Sequence, residues 1–175
     1  MSFVDQDDVL GVATRIARGI FKDILDYDLP EIFPTMKYKD AMETYGSDKP
    51  DVRFDMPLVE FAHYAEKTEF GVFKNNLEAG GRVKTLVLKN AADKYSRKAT
   101  DGLTEWLRTY YGLKGLAFVK LDQNNFNAGI SKFFPEALQT EVIADLKLEH
   151  NDILFFVSDT EARTLQSLGA LRLEL

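Results

Sequence analysis

The chain has 175 residues, 45% of them hydrophobic and 29% charged, enough to bury the core of one domain or two small ones. It has no cysteine and only two histidines, His63 and His150, which excludes disulfides and Cys/His structural zinc. No run of about 18 apolar residues is present to span a bilayer, the acidic start MSFVDQDDVL lacks the positive charge of a signal peptide, and a cytoplasmic protein without a membrane partner is expected.

The net charge of -6 argues against indiscriminate nucleic-acid binding, but it is unevenly spread. Residues 1 to 60 hold 7 basic and 13 acidic groups, and the remaining 15 basic and 15 acidic groups cancel. Within the balanced part, Arg82, Lys84, Lys89, Lys94, Arg97 and Lys98 have only Asp93 as a local acid. Such a segment reads either as the solvated edge of a strand and a helix or as an RNA-facing surface.

In chain order, MSFV is short and apolar and runs into a helix that Asp5 can cap, with Asp8 three positions on. Val9, Val12, Ala13, Ile16, Ile20 and Ile24 fall at helical spacing and predict one buried stripe. Pro30 and Pro34 end that pattern. KYKDAMETYG predicts a short helix stopped at Gly46, and the turn YGSDKPD follows with Ser47, Asp48, Lys49 and Asp51 around Pro50. Next, MPLVEFAHYAEKT predicts a second short helix with Pro57 in its first turn. His63 lies off its apolar stripe and reads as a surface or half-buried side chain rather than a metal ligand.

From residue 70 the pattern changes to short apolar runs separated by turns. EFGVF and RVKTLVL predict strands with NNLEAGG as a hairpin loop between them. A helix is predicted from Ser96 to Tyr111, its apolar face formed by Ala99, Leu103, Trp106, Leu107 and Tyr110. Trp106 reads as packing rather than as a platform for stacked bases. KGLAFVKLD is a third strand, QNNFNAG a loop, and SKFFPEALQTEVIADLKL a helix entered through Pro135. DILFFVS is the fourth strand; Asp159 then caps a last helix ending near Gly169, and LRLEL is one more short strand. These elements predict an α+β fold, a small, mostly antiparallel four-stranded sheet with helices on one face, preceded by a helical segment.

FPTMKYKDAMETYGSDKPDVR, residues 33 to 53, resembles the segment after motif 2 in bacterial-type aspartyl-tRNA synthetases of class II. EFGVF, KGLAFVK, GISKFF, NDILFFVSD and LGALRL, in that order, resemble the GAD insertion of those enzymes, and MSFVDQDDV resembles the strand end and helix directly after motif 2. The family usually has Gly where Asn151 stands, and a longer loop in place of QNNFNAG.

The resemblance implies a catalytic-core segment over 1–56, a GAD-like insertion over 57–165 and a return toward the core over 166–175. It also implies an ATP- and Mg2+-dependent ligase that attaches aspartate to tRNA(Asp), in a homodimeric parent whose insertion lies near the tRNA acceptor end. The implied partners are tRNA(Asp) and the rest of the synthetase chain. No catalytic residue and no metal or cofactor ligand of the family maps onto these residues, so this chain alone is expected to be inactive. Asp48, Lys49, Arg53, Arg82, Lys84, Arg97 and Lys98 are the candidate contacts to tRNA or to the active-site rim. Two other readings remain open, a free-standing GAD-like interaction or RNA-binding module, and a small enzyme using Asp48, Lys49 and Asp51 as an acid-base site. The latter lacks a nucleophile or histidine nearby.

Overall fold

The computed structural model describes residues 3–175 and divides into two compact units, Met1–Met36 and Lys37–Leu175. The first unit is built on helix α1 (Gln6–Leu25). Asp5 and Asp8 form a reciprocal capping box, Asp8 N donating to Asp5 Oδ1 at 3.0 Å and Asp5 N to Asp8 Oδ2 at 3.1 Å. The expected apolar stripe is present on this helix, but none of its residues is buried: Ile16 is 58% exposed and Ile24 73%. The strand expected at MSFV begins on residues outside the described range, and Phe3 and Val4 are not in a strand.

The second unit is α+β, as expected, around a five-stranded, wholly antiparallel sheet in the order β1-β2-β5-β3-β4. Its strands are β1 (Leu58–Glu60), β2 (Arg82–Leu88), β3 (Ala117–Asp122), β4 (Asn125–Asn127) and β5 (Ile153–Asp159). The helices are α2 (Tyr38–Tyr45), α3 (Ala62–Ala65), α4 (Gly71–Glu78), α5 (Arg97–Tyr111), α6 (Glu136–Asp145) and α7 (Glu161–Glu174).

β5 is central and buried on both sides, which explains its unbroken apolar run. Leu154 and Phe156 join a core with Phe61, Phe73, Phe134, Leu138 and Val142, under α3, α4 and α6. Ile153, Phe155 and Val157 point the other way, into a core with Leu107, Leu165, Leu168 and Leu171 under α5 and α7. The sheet is therefore covered on both faces rather than one, and the two apolar sets of β5 account for it.

Several local expectations are corrected. EFGVF is not a strand: α4 begins at Gly71 and takes in most of NNLEAGG, because Phe70, Phe73 and Leu77 all pack on one side of it. Pro57 does not open a helix; it precedes β1, which pairs Leu58 with Leu86, and only the single turn of α3 follows. QNNFNAG contains the fifth strand, where Phe126 pairs with Leu121 across the two-residue turn at 123–124. LRLEL is not a strand either, since α7 continues past Gly169 to Glu174 and buries Leu171 and Arg172. Thr160, not Asp159, is the residue preceding that helix, while Asp159 Oδ1 accepts from the Thr160 amide at 2.8 Å.

Candidate functional site: the junction turn and the basic segment

The YGSDKPD turn is held from below by α7. Gly46 ends α2 with φ +67°, a left-handed conformation that costs a side-chain-bearing residue about 1 kcal/mol. Space is the stronger constraint. A Cβ on Gly46 would strike the Leu165 carbonyl and lie 2.8 Å from Cα of Gly169, and one on Gly169 would lie 2.9 Å from the Tyr45 carbonyl oxygen. Two glycines thus let a turn and a helix meet backbone to backbone.

Arg172, only 2% exposed, clamps the other side of the junction. Its Nε donates to the Met56 carbonyl at 2.8 Å and a terminal nitrogen donates to the Phe54 carbonyl at 2.9 Å. The guanidinium carbon lies 4.7 Å from the ring centroid of Tyr45 and 4.1 Å from that of Phe54, a stacked cation with planar donors. Burial pushes its pKa down, and the nearby Tyr45, Asp51 and Asp55 oppose this.

The outer side of the turn is local and solvated. Lys49 N donates to Ser47 Oγ at 3.2 Å, and Arg53 N and Nε each donate to Asp51 Oδ1 at 2.9 Å. The Arg53 hydrogen bonds hold the Asp51 carboxyl down at about 2. Asp48 and Lys49 are exposed and make no ion pair among the described residues. Ser47 and Asp51 are thus occupied by contacts to residues two positions on.

The basic segment separates into two parts. Arg82 and Lys84, on β2, face α2 and α7 and are tied into an internal network. Arg82 donates to Glu43 at 2.7 and 2.8 Å, to Glu60 at 2.7 Å and to Glu161 at 3.1 Å. Lys84, 3% exposed, donates to the Glu43 carbonyl at 2.7 Å and to its carboxylate at 3.1 Å. The Arg82 hydrogen bonds, with those of Lys84, draw the Glu43 carboxyl down to about 2 and raise Arg82 in turn. Lys89 is likewise occupied, donating to buried Asp152 at 2.8 Å and to the Lys147 carbonyl at 2.6 Å.

The remaining cations, Lys94, Arg97 and Lys98, are exposed and make no ion pair among the described residues. They surround the N-terminus of α5, where Ser96 Oγ accepts from Ala99 N at 3.3 Å and the first turn contains no acid. Cations at the positive end of a helix repel its dipole, so this arrangement favours an anion nearby. Beside it, Asn151 adopts φ +70°, and its side-chain amide donates to Asn90 and Asp93 at 2.8 and 3.0 Å. The left-handed backbone there explains why a glycine would also serve at this position.

His63 is exposed, and Trp106 is half-buried, its ring edge-on to Tyr111 at 5.4 Å against the α5/α7 core. Among the described residues there is no group of three or more His, Asp or Glu side chains placed to hold a metal, and no helix long and apolar enough to cross a membrane.

A five-stranded antiparallel sheet with helices on both faces defines the class as a small α+β fold. The family model described as GAD domain matches residues 73–168, and the chain belongs to that family. Over its whole length it is also similar to named ligases. It is 46% identical to "Aspartate--tRNA ligase" of Staphylococcus carnosus, with 100% of this chain and 30% of that protein covered. It is 45% identical to the "Aspartate--tRNA ligase" of Macrococcus caseolyticus, covering 100% and 29% respectively. It is 42% identical to the "Aspartate--tRNA(Asp/Asn) ligase" of Bacillus cereus, covering 99% and 29%. The chain thus spans less than a third of the length of these relatives.

Proposed function

We propose that this chain is the GAD domain and adjoining core segments of a bacterial-type aspartate–tRNA ligase. The observation that carries the reading is identity of 42 to 46% along essentially the whole chain to proteins bearing that name, extending well beyond the GAD residues. The exposed apolar stripe of α1 supports it, because a stripe such as Val12, Ile16 and Ile20 in a larger protein has further chain to cover it. The parent uses ATP and Mg2+ to activate aspartate and transfers it to tRNA in the cytoplasm, as a homodimer. The catalytic residues for this lie elsewhere in the parent, and the substrate is tRNA(Asp) alone or, as in the name of the Bacillus cereus relative, tRNA(Asp/Asn).

The module's own role is to sit beside the acceptor end of the tRNA, offering Lys94, Arg97 and Lys98 to phosphates, with Lys49 and Arg53 at the joint and Asp48 at its rim. Arg82 and Lys84 reach RNA only by leaving Glu43, so their part is to hold the joint in place. The core segment is 1–56, the inserted body 57–165 and the return 166–175. The test is binding of acceptor-stem RNA to the 175-residue chain across a salt series. Replacing Lys94, Arg97 and Lys98 with Ala is expected to flatten the log-log salt dependence by about 2 to 3. An unchanged slope would remove the RNA role and leave the family intact. Aminoacylation and pyrophosphate-exchange assays on this chain are expected to be blank, and activity above background would overturn the assignment of catalysis to the rest of the parent.

A further inference from the structure

β5 has a vacant place along one edge. It pairs with β2 over all seven of its residues, but its ladder with β3 ends at Ala117↔Phe156, and Lys114 to Leu116 turn away from it. Successive residues of an antiparallel strand turn their backbone N–H and C=O to alternate sides. The Val83 carbonyl accepts from Phe61 N at 2.9 Å, on the side away from β5, so the Val83↔Ser158 pair exchanges no hydrogen bonds. Near the start of the strand, Asp152 O accepts from Leu121 N at 2.8 Å, which puts Leu154, Phe156 and Ser158 on the β3 side. Both observations aim the N–H and C=O of Ser158 into the vacant place, where neither has a partner among the described residues. Ser158 is half-buried while its Oγ is closed to solvent, so what it exposes is backbone and Cβ.

This edge opens onto a cleft of about 650 Å³ beside α4. A strand residue set opposite Ser158 would turn its side chain to the face that Ser158 shares with Phe156, where Phe73 and the exposed Val72 stand. The two charged groups of the lining differ. Asp159 is paired with Arg163 at 2.8 Å, whereas Lys114 is exposed and makes no ion pair among the described residues. The cleft thus presents a backbone donor, a backbone acceptor, an apolar wall and a free positive charge.

These features restrict the occupant. An apolar small molecule would leave both backbone groups of Ser158 unmet, and a helix has spent its own backbone groups internally. An extended peptide meets them in pairs. We propose that the edge of β5 takes one added strand, an extended acidic segment of a second protein. The residue opposite Ser158 exchanges both backbone hydrogen bonds with it and sets an apolar side chain against Val72 and Phe73, and a neighbouring carboxylate meets Lys114. The elements that lead into and out of this unit, α2 and α7, pack on the opposite face, which leaves the α4 face open to a separate protein. Lys114 follows the C-terminus of α5, a helix about 22 Å long, and Lys94, Arg97 and Lys98 surround its N-terminus. Peptide binding here and RNA binding there therefore stand or fall separately.

The experiment is amide-resolved NMR on the 175-residue chain. In the free protein the Ser158 amide is expected to exchange with solvent about tenfold or more faster than that of Val157, which is bonded to β2. Titration with the capped peptide acetyl-Thr-Glu-Val-Glu-Thr-amide is expected to shift residues 70–79, 114–117 and 156–159 and to slow exchange at Ser158. The same peptide N-methylated on its valine keeps every side chain but loses the donor, and is expected to bind about tenfold more weakly. Lysine in place of both glutamates is expected to weaken binding several-fold, and Lys114→Glu to reverse that preference. Ser158→Pro removes an N–H that makes no hydrogen bond in the folded chain, and is expected to abolish the shifts with the sheet intact. Val72→Trp, which fills the cleft from an exposed position, is the second variant should the proline disturb β5. The proposal is overturned by a Ser158 amide as protected as that of Val157, by equal affinity of the N-methylated peptide, by unchanged binding in both variants, or by no shifts at millimolar peptide.

Discussion

Helices α1 and α7 make an instructive pair. α1 has 20 residues, a reciprocal N-cap and a regular apolar stripe, yet buries nothing in this chain. α7 has 14 residues and a less ordered apolar pattern, yet buries Thr164, Leu165, Ser167, Leu168, Gly169, Leu171 and Arg172. Local helix signals therefore say where a helix forms, but not whether anything packs on it. Much of what anchors α7 is not apolar: a glycine at a backbone crossing and an arginine between two rings.

The comparison is broken most forcefully at the crossing. Gly169→Leu is expected to destabilise the Lys37–Leu175 unit by about 3 kcal/mol or more, since the new side chain meets backbone that cannot yield. Chemical denaturation followed by circular dichroism measures this, and a loss below about 1 kcal/mol would mean the crossing is loose. Arg172→Ala follows, at about 2 to 3 kcal/mol, from two lost charge-assisted hydrogen bonds and the stack on Tyr45 and Phe54. Arg172→Lys should recover only part of that, because an ammonium cannot stack as a plane.

Glu43 gives a smaller effect with a defined pH dependence. Its carboxyl is lowered from 4.5 to about 2 in the folded protein, so its contribution is fully present above pH 4.5 and is lost as pH falls toward 2. Glu43→Gln is expected to cost about 1 to 2 kcal/mol at neutral pH. The gap from the unsubstituted chain should close across that acid window, and a pH-independent gap would assign the effect to packing. The smallest effect sharpens the comparison from the other side. Ile16→Ser and Ile20→Ser remove no buried side chain from α1 and are expected to cost less than about 0.5 kcal/mol.

The sequence was legible where structure is decided locally. Asp5 as a cap, Gly46 as a stop, and RVKTLVL as a strand all follow from neighbours a few positions away, and β2 occupies those seven residues. Where two periods fit one short run, the reading failed. The Phe70–Phe73 run and the alternation in LRLEL suit a strand as well as a helix, and the core decides between them. β1 and β4, three residues each, are visible only through their partners.

The candidate site was legible in composition but not in connection. Arg82 and Lys84 looked unopposed because Glu43, Glu60 and Glu161 are remote in sequence and meet them only after folding. Arg172, inside an apolar run, gave no hint that it would be buried against Tyr45 and Phe54. The cleft by Ser158 was invisible for the same reason: it arises from where one ladder stops, which no window of residues displays.

The place of β5 has a consequence for synthesis on the ribosome. The β1–β2 and β3–β4 pairs are made early, but the strand that joins them is Ile153–Asp159, near the end of the chain. At roughly 5 to 20 residues per second, both pairs wait several seconds with a bare edge and half a core each. Arg82 and Lys84 lie on one of those waiting strands with Glu43 and Glu60 already made to pair with them, and only the Glu161 contact of Arg82 and the cover of α7 come later. Stalled chains ending before Ile153 are accordingly expected to bind chaperones or aggregate, and chains long enough to free α7 from the ribosome to resist protease.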